Sequence, residues 1–361
     1  MVGVSISVPM QDPRLIQLAL NAMRLSGVPR LLAPTCRGLG AIFMLHHIFP
    51  GGGLQKGFAP NRGLEVTPEF LGAVIGHVRS QGYDVIALGE AVERIGRKRS
   101  DKPFAVFTID DGYRDNLEYA VPIFRESNTP YTIFFAPRIT DGTCELWWRI
   151  LEEILRRESK IEAELPQGKV QLGTVSDLDK AAAFKALYWP IRHMEEHGQR
   201  RWIRRFAEQY RFDVDGYCRA VAMDWDDVRA LAQDELCTIG AHTIHHYAVA
   251  KLEPDEALRE MTGSAQRLEE ETGRRPQFFA YPYGDEGSAG PRDFALAAQA
   301  GFAGAVTTAK GVIQERHGAC LTGLPRVSLN GDYQRLDYVD LLLSGLPFAA
   351  RDLARKLLRR G

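Results

Sequence analysis

The sequence predicts an α/β protein built on a parallel sheet, and three observations carry that prediction. Eight short, apolar, β-rich runs recur along the 361 residues; segments of helical periodicity separate most of them; and the runs are apolar throughout rather than alternating. Unbroken apolar strands are covered on both faces, so a closed barrel and a doubly wound sheet both satisfy the pattern.

In chain order the strand-like runs are 41–46, 84–88, 104–109, 131–136, 236–241, 278–283, 302–307 and 324–329. Each is too short for a helix and is rich in Val, Ile, Phe, Tyr or Ala. Helical periodicity marks 68–80, 117–126, 225–232, 254–272 and 292–300. Asp224 precedes one of these and is its expected N-cap, with contact to a substrate as the competing role for the adjoining Trp225.

One stretch breaks the rhythm. Residues 140–223 lack strand spacing and read as a charged, helical insertion, with helices at 145–158 and 179–210. Its Trp147, Trp148, Tyr188 and Trp189 serve either as the insertion's own core or as a wall for a ring-shaped ligand. A lid over a site is a further role that its position would allow. The expected organisation is therefore an N-terminal helical extension (1–38), a barrel-like domain (39–335) carrying the insertion, and a basic C-terminal helix (336–361).

Composition excludes several classes. With 45 Lys plus Arg against 46 Asp plus Glu, the formal net charge is -1, which gives no global field to hold nucleic acid. At 45% hydrophobic residues the chain is neither disordered nor fibrous. No run of eighteen apolar residues occurs, so no membrane-spanning helix is expected. Gln17, Asn21 and Arg24 interrupt the apolar stretch 15–25, so no signal peptide is read there. Cys36, Cys144, Cys218, Cys237 and Cys320 form no CxxC pair and read as reduced, mostly core residues; a cytoplasmic location follows as the expectation. At the C-terminus, Arg351, Arg355, Lys356, Arg359 and Arg360 lie among Leu353, Leu357 and Leu358. That pattern fits an ordinary surface helix or a basic amphipathic helix on an anionic membrane.

Three constellations follow predicted strands, where the loops of a β/α barrel gather its chemistry. In Thr108-Ile109-Asp110-Asp111-Gly112 the two carboxylates leave an ideal strand on opposite sides, and share a site only if the backbone bends at Gly112. The plain alternative is an Asp-Gly turn. In His242-Thr243-Ile244-His245-His246, a helical turn would set His242 and His246 on one face, close enough for one metal ion; two surface histidines are the alternative. In Phe279-Ala280-Tyr281-Pro282-Tyr283-Gly284, Pro and Gly force an irregular strand end that can aim a backbone N–H into a pocket.

Taken together these motifs resemble the polysaccharide deacetylases, the NodB-homology group of carbohydrate esterases. The family's T-F-D-D-G motif corresponds to Thr108–Gly112 with Ile109 in the Phe place, and its H-[ST]-x-x-H motif to His242–His246 without change. Its R-x-P-Y motif corresponds to Ala280-Tyr281-Pro282-Tyr283, without the arginine. The resemblance spans residues 41–329 and implies a distorted β/α barrel with the insertion between the first two motifs. It further implies Asp110 as general base, a divalent metal on Asp111, His242 and His246, and the Tyr283 backbone N–H as oxyanion donor. Zinc is the first expectation, with Co, Mn and Ni also suited to such ligands. The implied reaction is hydrolysis of N-acetyl, or secondarily O-acetyl, groups on a carbohydrate by metal-activated water.

The family's late L-x-H motif, source of the acid histidine, has no counterpart in Leu324-Pro325-Arg326-Val327-Ser328-Leu329. His46, at the end of the first run, is the candidate acid, against a structural histidine; His317 is a weaker candidate. Arg326, in an apolar strand, needs a carboxylate partner, either Asp110 in place of the missing arginine or a structural one elsewhere. Two further functions remain: deformylation or another non-peptide amide cleavage on a non-polysaccharide substrate, and a sugar-binding barrel without turnover.

Overall fold

The computed structural model describes residues 13–358. Seven parallel strands form its centre: β1 (Gly40–Leu45), β2 (Phe104–Ile109), β3 (Tyr131–Phe135), β4 (Cys237–Ala241), β5 (Phe278–Ala280), β6 (Gly304–Lys310) and β7 (Leu324–Ser328). Each strand pairs with its neighbour in sequence. β7 returns to β1 through Phe43↔Val327 and Met44↔Ser328, so the sheet closes and the doubly wound alternative falls. The ring is uneven: β4 and β5 share one register pair, Phe279↔Ala241, and β6 slips against β7 between Val306 and Lys310. The remaining predicted run, 84–88, is only the two-residue strand Asp84–Val85, which pairs with the start of β2 outside the ring.

Strand parity divides the core. Phe43, Phe107, Ile133 and Phe135 join one large cluster with Leu71, Val74 and Leu268 of the surrounding helices. Alternate residues Ile42, Val106, Phe134, Val306 and Leu324 form a smaller cluster within the ring. Helix Leu88–Gly96 joins this inner cluster through Leu88, Ala91, Val92 and Ile95, with Val92 against Gly304, and plugs the N-terminal end. The same parity carries Thr108 and Asp110 to the side of Val106, and Arg326 to the side of Leu324. Helices Pro68–Ser80 and Pro254–Thr272 have the predicted bounds. The first is capped by the Thr67 side chain accepting from Phe70 N–H at 3.1 Å, a contact worth about 1 kcal/mol.

The insertion departs from its expected all-helical form. After helix Trp147–Arg157 it folds an antiparallel hairpin, Lys160–Leu165 with Gly168–Gly173. Ile161, Ala163 and Leu165 alternate with exposed residues, a strand signal submerged in a charged segment. The single helix expected over 179–210 is two, Asp177–His193 and Glu196–Gln209, separated at Met194 and Glu195. Trp147, Trp148, Phe184 and Leu187 build a core belonging to this region.

The C-terminal segment is likewise two helices, Leu336–Leu343 and Leu346–Leu358; Arg359 and Arg360 lie outside the described residues. Helices Pro13–Leu25 and Val28–Cys36 precede β1. The cysteines are all free, but only Cys144 and Cys218 are buried, which corrects the expectation of mostly core thiols. Among the described residues no helix is long and apolar enough to cross a membrane.

Candidate active site

Parallel closure sends the C-terminal ends of all seven strands to one rim, and the three sequence constellations meet there. Asp110 and Asp111 follow β2, His242 follows β4, and Tyr281–Tyr283 follows β5. The bend that Gly112 was expected to provide begins one residue earlier: Asp111 itself has φ 74°, followed by Gly112 at 70°. A Cβ at Gly112 would lie 2.5 Å from the Phe135 ring, so both the space and the backbone require glycine.

Asp111 Oδ1 lies 3.3 Å from His242 Nε2 and 3.1 Å from His246 Nε2. The three ligand atoms fall within 4.8 Å of one another and all three residues are buried. His242 directs Nδ1 to the Ala280 carbonyl at 2.7 Å, which fixes the tautomer and leaves Nε2 for the cluster. Burial opposes charge on Asp111, but both histidines outweigh it and hold its carboxyl well below the usual range. Burial lowers the His246 pKa against the pull of Asp111. Deprotonated carboxylate and neutral imidazole are the states that bind a divalent cation, so the residues fit such an ion.

The two histidines do not share a helical turn, contrary to the reading of their spacing. The segment after β4 is an irregular loop in which Thr243 has φ 55° and His246 φ 57°. Three groups hold it in that strained form. Glu260 Oε2 accepts the Ile244 and His245 N–H groups at 2.9 Å each, while Oε1 lies 2.6 Å from His245 Nδ1. Thr243 Oγ1 accepts from Tyr247 N–H, and Arg200 donates to the His246 carbonyl at 2.9 Å. Glu260 and Arg200 were not singled out in the sequence. Both are remote from the motif along the chain and sit in helices where an acid or a base reads as surface.

Arg326 meets Asp110 through two parallel bonds, Nη1 to Oδ1 at 2.8 Å and Nη2 to Oδ2 at 2.6 Å. Its remaining donors reach Thr307 O at 2.8 Å and Thr108 Oγ1 at 3.1 Å. Burial would raise the Asp110 pKa; Arg326 overrides it and keeps the carboxyl below its ordinary value. His46 Nε2 stands 3.7 Å from Asp110 Oδ2, with its backbone carbonyl fixed by Asn116 Nδ2 at 2.7 Å. Burial lowers the His46 pKa, partly offset by Asp110 and Asp111. Asn116 and Tyr113 order this loop: the Tyr113 ring stacks on His47 at 3.7 Å, and His47 Nδ1 pairs with Asp115 at 2.6 Å. His317 is on the β6–β7 connection, where its Nδ1 accepts the Gln314 N–H at 2.9 Å.

Tyr283 has φ 62°, and a Cβ at Gly284 would lie 2.5 Å from Thr308 N. The insertion grips this turn. Trp147 Nε1 donates to Tyr283 Oη at 2.8 Å, and Arg192 lies over the Tyr283 ring at 4.1 Å. Trp148 packs against the imidazole of His246, ring centres 5.1 Å apart. Trp147 and Trp148 are thus both part of the insertion's core and a wall of the site, whereas Trp189 meets only the rings of Tyr188 and His193 and joins neither. At the opposite end of the insertion, Asp224 caps helix Trp225–Leu231, and Trp225 is occupied by Asp141 and Arg267.

A closed seven-stranded parallel barrel with this Asp-His-His cluster at its C-terminal rim is the NodB-type deacetylase fold. The polysaccharide deacetylase family model matches residues 180–304, so this part of the chain is similar to that family. The matched segment holds His242, His246 and the Tyr283 turn; Asp110, Asp111 and Arg326 lie outside it and are joined to it by the fold. Among solved structures, IcaB from Ammonifex degensii is similar over 85% of this chain and 98% of its own, with 16% identity and a TM-score of 0.52. A de-N-acetylase from Aggregatibacter actinomycetemcomitans is similar over 83% and 98%, with 13% identity and a TM-score of 0.51. A polysaccharide deacetylase from Bacillus cereus is similar over 84% of this chain and 68% of its own, at 15% identity and a TM-score of 0.51. Among curated proteins, none matches the sequence.

Proposed function

We propose that the protein is a metal-dependent hydrolase that removes N-acetyl, and secondarily O-acetyl, groups from a carbohydrate. The observation that carries this reading is the buried Asp111, His242 and His246 cluster with a second carboxylate, Asp110, beside it. A divalent ion bound by the three ligands, zinc first, supplies Lewis acidity and makes water more acidic. Asp110, kept ionised by Arg326, takes a proton from the attacking water. The Tyr283 N–H donates to the carbonyl oxygen as it gains charge; among the described residues no backbone carbonyl accepts that N–H. His46, 3.7 Å from Asp110, passes the proton to the departing amine.

The test is acetate release from N-acetylated oligosaccharides by metal-reconstituted protein, comparing wild type with Asp110→Asn and with His242→Ala plus His246→Ala. Acetate from wild type alone supports the reading. Metal binding without acetate from any sugar removes it.

A second reading rests on burial. The side chains of Asp111, His242 and His246 are only 2–4% exposed, and Trp148 stands against His246. So closed a site suits a small acyl group on a compact substrate, and deformylation or another non-peptide amide cleavage fits it. A panel of formyl and acetyl amides, with and without a sugar, separates the two.

A further inference from the structure

Three neighbouring helices turn aliphatic faces to solvent. On Leu346–Leu358 the exposed positions include Ala349, Ala350, Leu353, Ala354 and Leu357, which form one stripe at helical spacing. Leu353 and Leu357 are 60% and 62% exposed. Helix Pro13–Leu25 exposes Leu18 and Leu25, and helix Val28–Cys36, which packs against both others, exposes Val28 and Leu32. A helix of a water-soluble face points its apolar stripe inward; these point outward.

Cations edge Leu353. A groove of about 730 Å³ between Val28–Cys36, Leu346–Leu358 and the β6–β7 connection holds Lys310, Arg316, Arg351, Arg355 and Lys356. Its two carboxylates are already engaged, Asp352 with Arg351 at 3.0 Å and Glu286 with Arg355 at 2.7 Å. Lys310, Arg316 and Lys356 have no carboxylate partner among the described residues. Burial and the nearby Arg351 lower the Lys310 pKa, as expected of a cation lacking a counter-charge.

We propose that this face docks on an anionic phospholipid bilayer, its leucines entering the headgroup boundary and its unpaired cations meeting lipid phosphates. Protein interfaces concentrate aromatic anchors; no exposed large aromatic residue lies on these helices among the described residues, which favours lipid over a protein partner. Glu286, held by Arg355, is two residues beyond Gly284, so one edge of the surface adjoins the catalytic rim. If the proposed reaction holds, that placement suits a carbohydrate carried on the membrane; the docking itself does not depend on it.

The experiment is co-sedimentation of the full chain, without carbohydrate, with vesicles of phosphatidylcholine alone or mixed with phosphatidylglycerol, at low and high salt. Wild type is expected to pellet with the mixed vesicles, less so in high salt, and to stay in solution with the neutral ones. Leu353→Asp plus Leu357→Asp abolishes pelleting, and Arg316→Glu plus Lys356→Glu weakens it by about tenfold or more. Thermal melting and metal binding check that both variants fold. Equal pelleting of wild type and folded variants overturns the proposal, as does failure of wild type to prefer anionic vesicles. Self-association lost in the leucine variant, without vesicle binding, overturns it in favour of a second copy of the chain.

Discussion

Arg326, from the last strand of the barrel, grips both oxygens of Asp110, from the second, at 2.8 and 2.6 Å. Arg326 lies 46 residues beyond Ala280, the position at which the resembled family's third motif carries an arginine. The side chains of Arg326 and Asp110 are both buried, so the pair cannot be split cheaply. Removing one partner of such a pair costs about 3–5 kcal/mol, because the other charge is left unpaired.

Arg326→Ala should therefore lower thermal stability and move the acid limb of the pH–rate profile upward. The sign follows from Arg326 holding the Asp110 pKa down: without it the base protonates at higher pH. Arg326→Lys, which keeps the charge but not the fork, should show a smaller displacement. An unmoved limb in a folded Arg326→Ala protein would reject this role.

The two adjacent aspartates should separate by phenotype. Asp110→Asn should retain metal while hydrolysis falls by about 10²–10⁴-fold, the range of a lost general base. Asp111→Asn should lose metal and activity together. Equilibrium dialysis alongside acetate release reads both, and equal metal loss in the two variants would contradict the division of labour.

Glu260 tests how the strained histidine loop is maintained. Its carboxylate takes two backbone N–H groups and faces the imidazole of His245. Glu260→Ala should weaken metal affinity by about 10–100-fold, because the loop that carries both His242 and His246 loses its support. Glu260→Gln should recover part of it, because one amide oxygen still accepts. Unchanged affinity in Glu260→Ala would show that the loop is held without it.

His317 should make stability depend on mild acid. Burial, then Arg316, lowers its pKa to about 4 from the ordinary 6.5. Its Nδ1 also accepts a backbone N–H, which requires the neutral ring. Below 6.5 the unfolded chain gains a proton that the folded chain refuses, so stability falls as pH drops from 6.5 to about 4 and then levels. After allowance for partial exposure the loss is about 1–2 kcal/mol. His317→Gln should flatten this part of the curve of melting temperature against pH; an unaltered slope would assign the acid sensitivity elsewhere.

Deleting the insertion should not yield the same enzyme without a lid. Trp147 bonds Tyr283, Trp148 packs on His246, and Arg200 holds the His246 carbonyl. Removal of 140–223 should abolish metal binding as well as change substrate affinity. A deletion variant that binds metal like wild type would restore the detachable-lid reading.

The sequence by itself determined where the barrel strands fall along the chain, the parallel sheet and the residues able to do chemistry. Covered strands must be apolar throughout, and an Asp-Asp-Gly or His-x-x-x-His element must be written locally. It did not reveal the hairpin inside the insertion, because three apolar residues in a charged stretch are a weak period. Nor did it show that His242 and His246 are joined by a left-handed loop rather than a helical turn. Only the tertiary structure decided closure of the ring, the pairing of Arg326 with Asp110, and the support of the histidine loop by Glu260 and Arg200. Those contacts join residues far apart in sequence and depend on strand parity and barrel closure, which no local pattern of residues records.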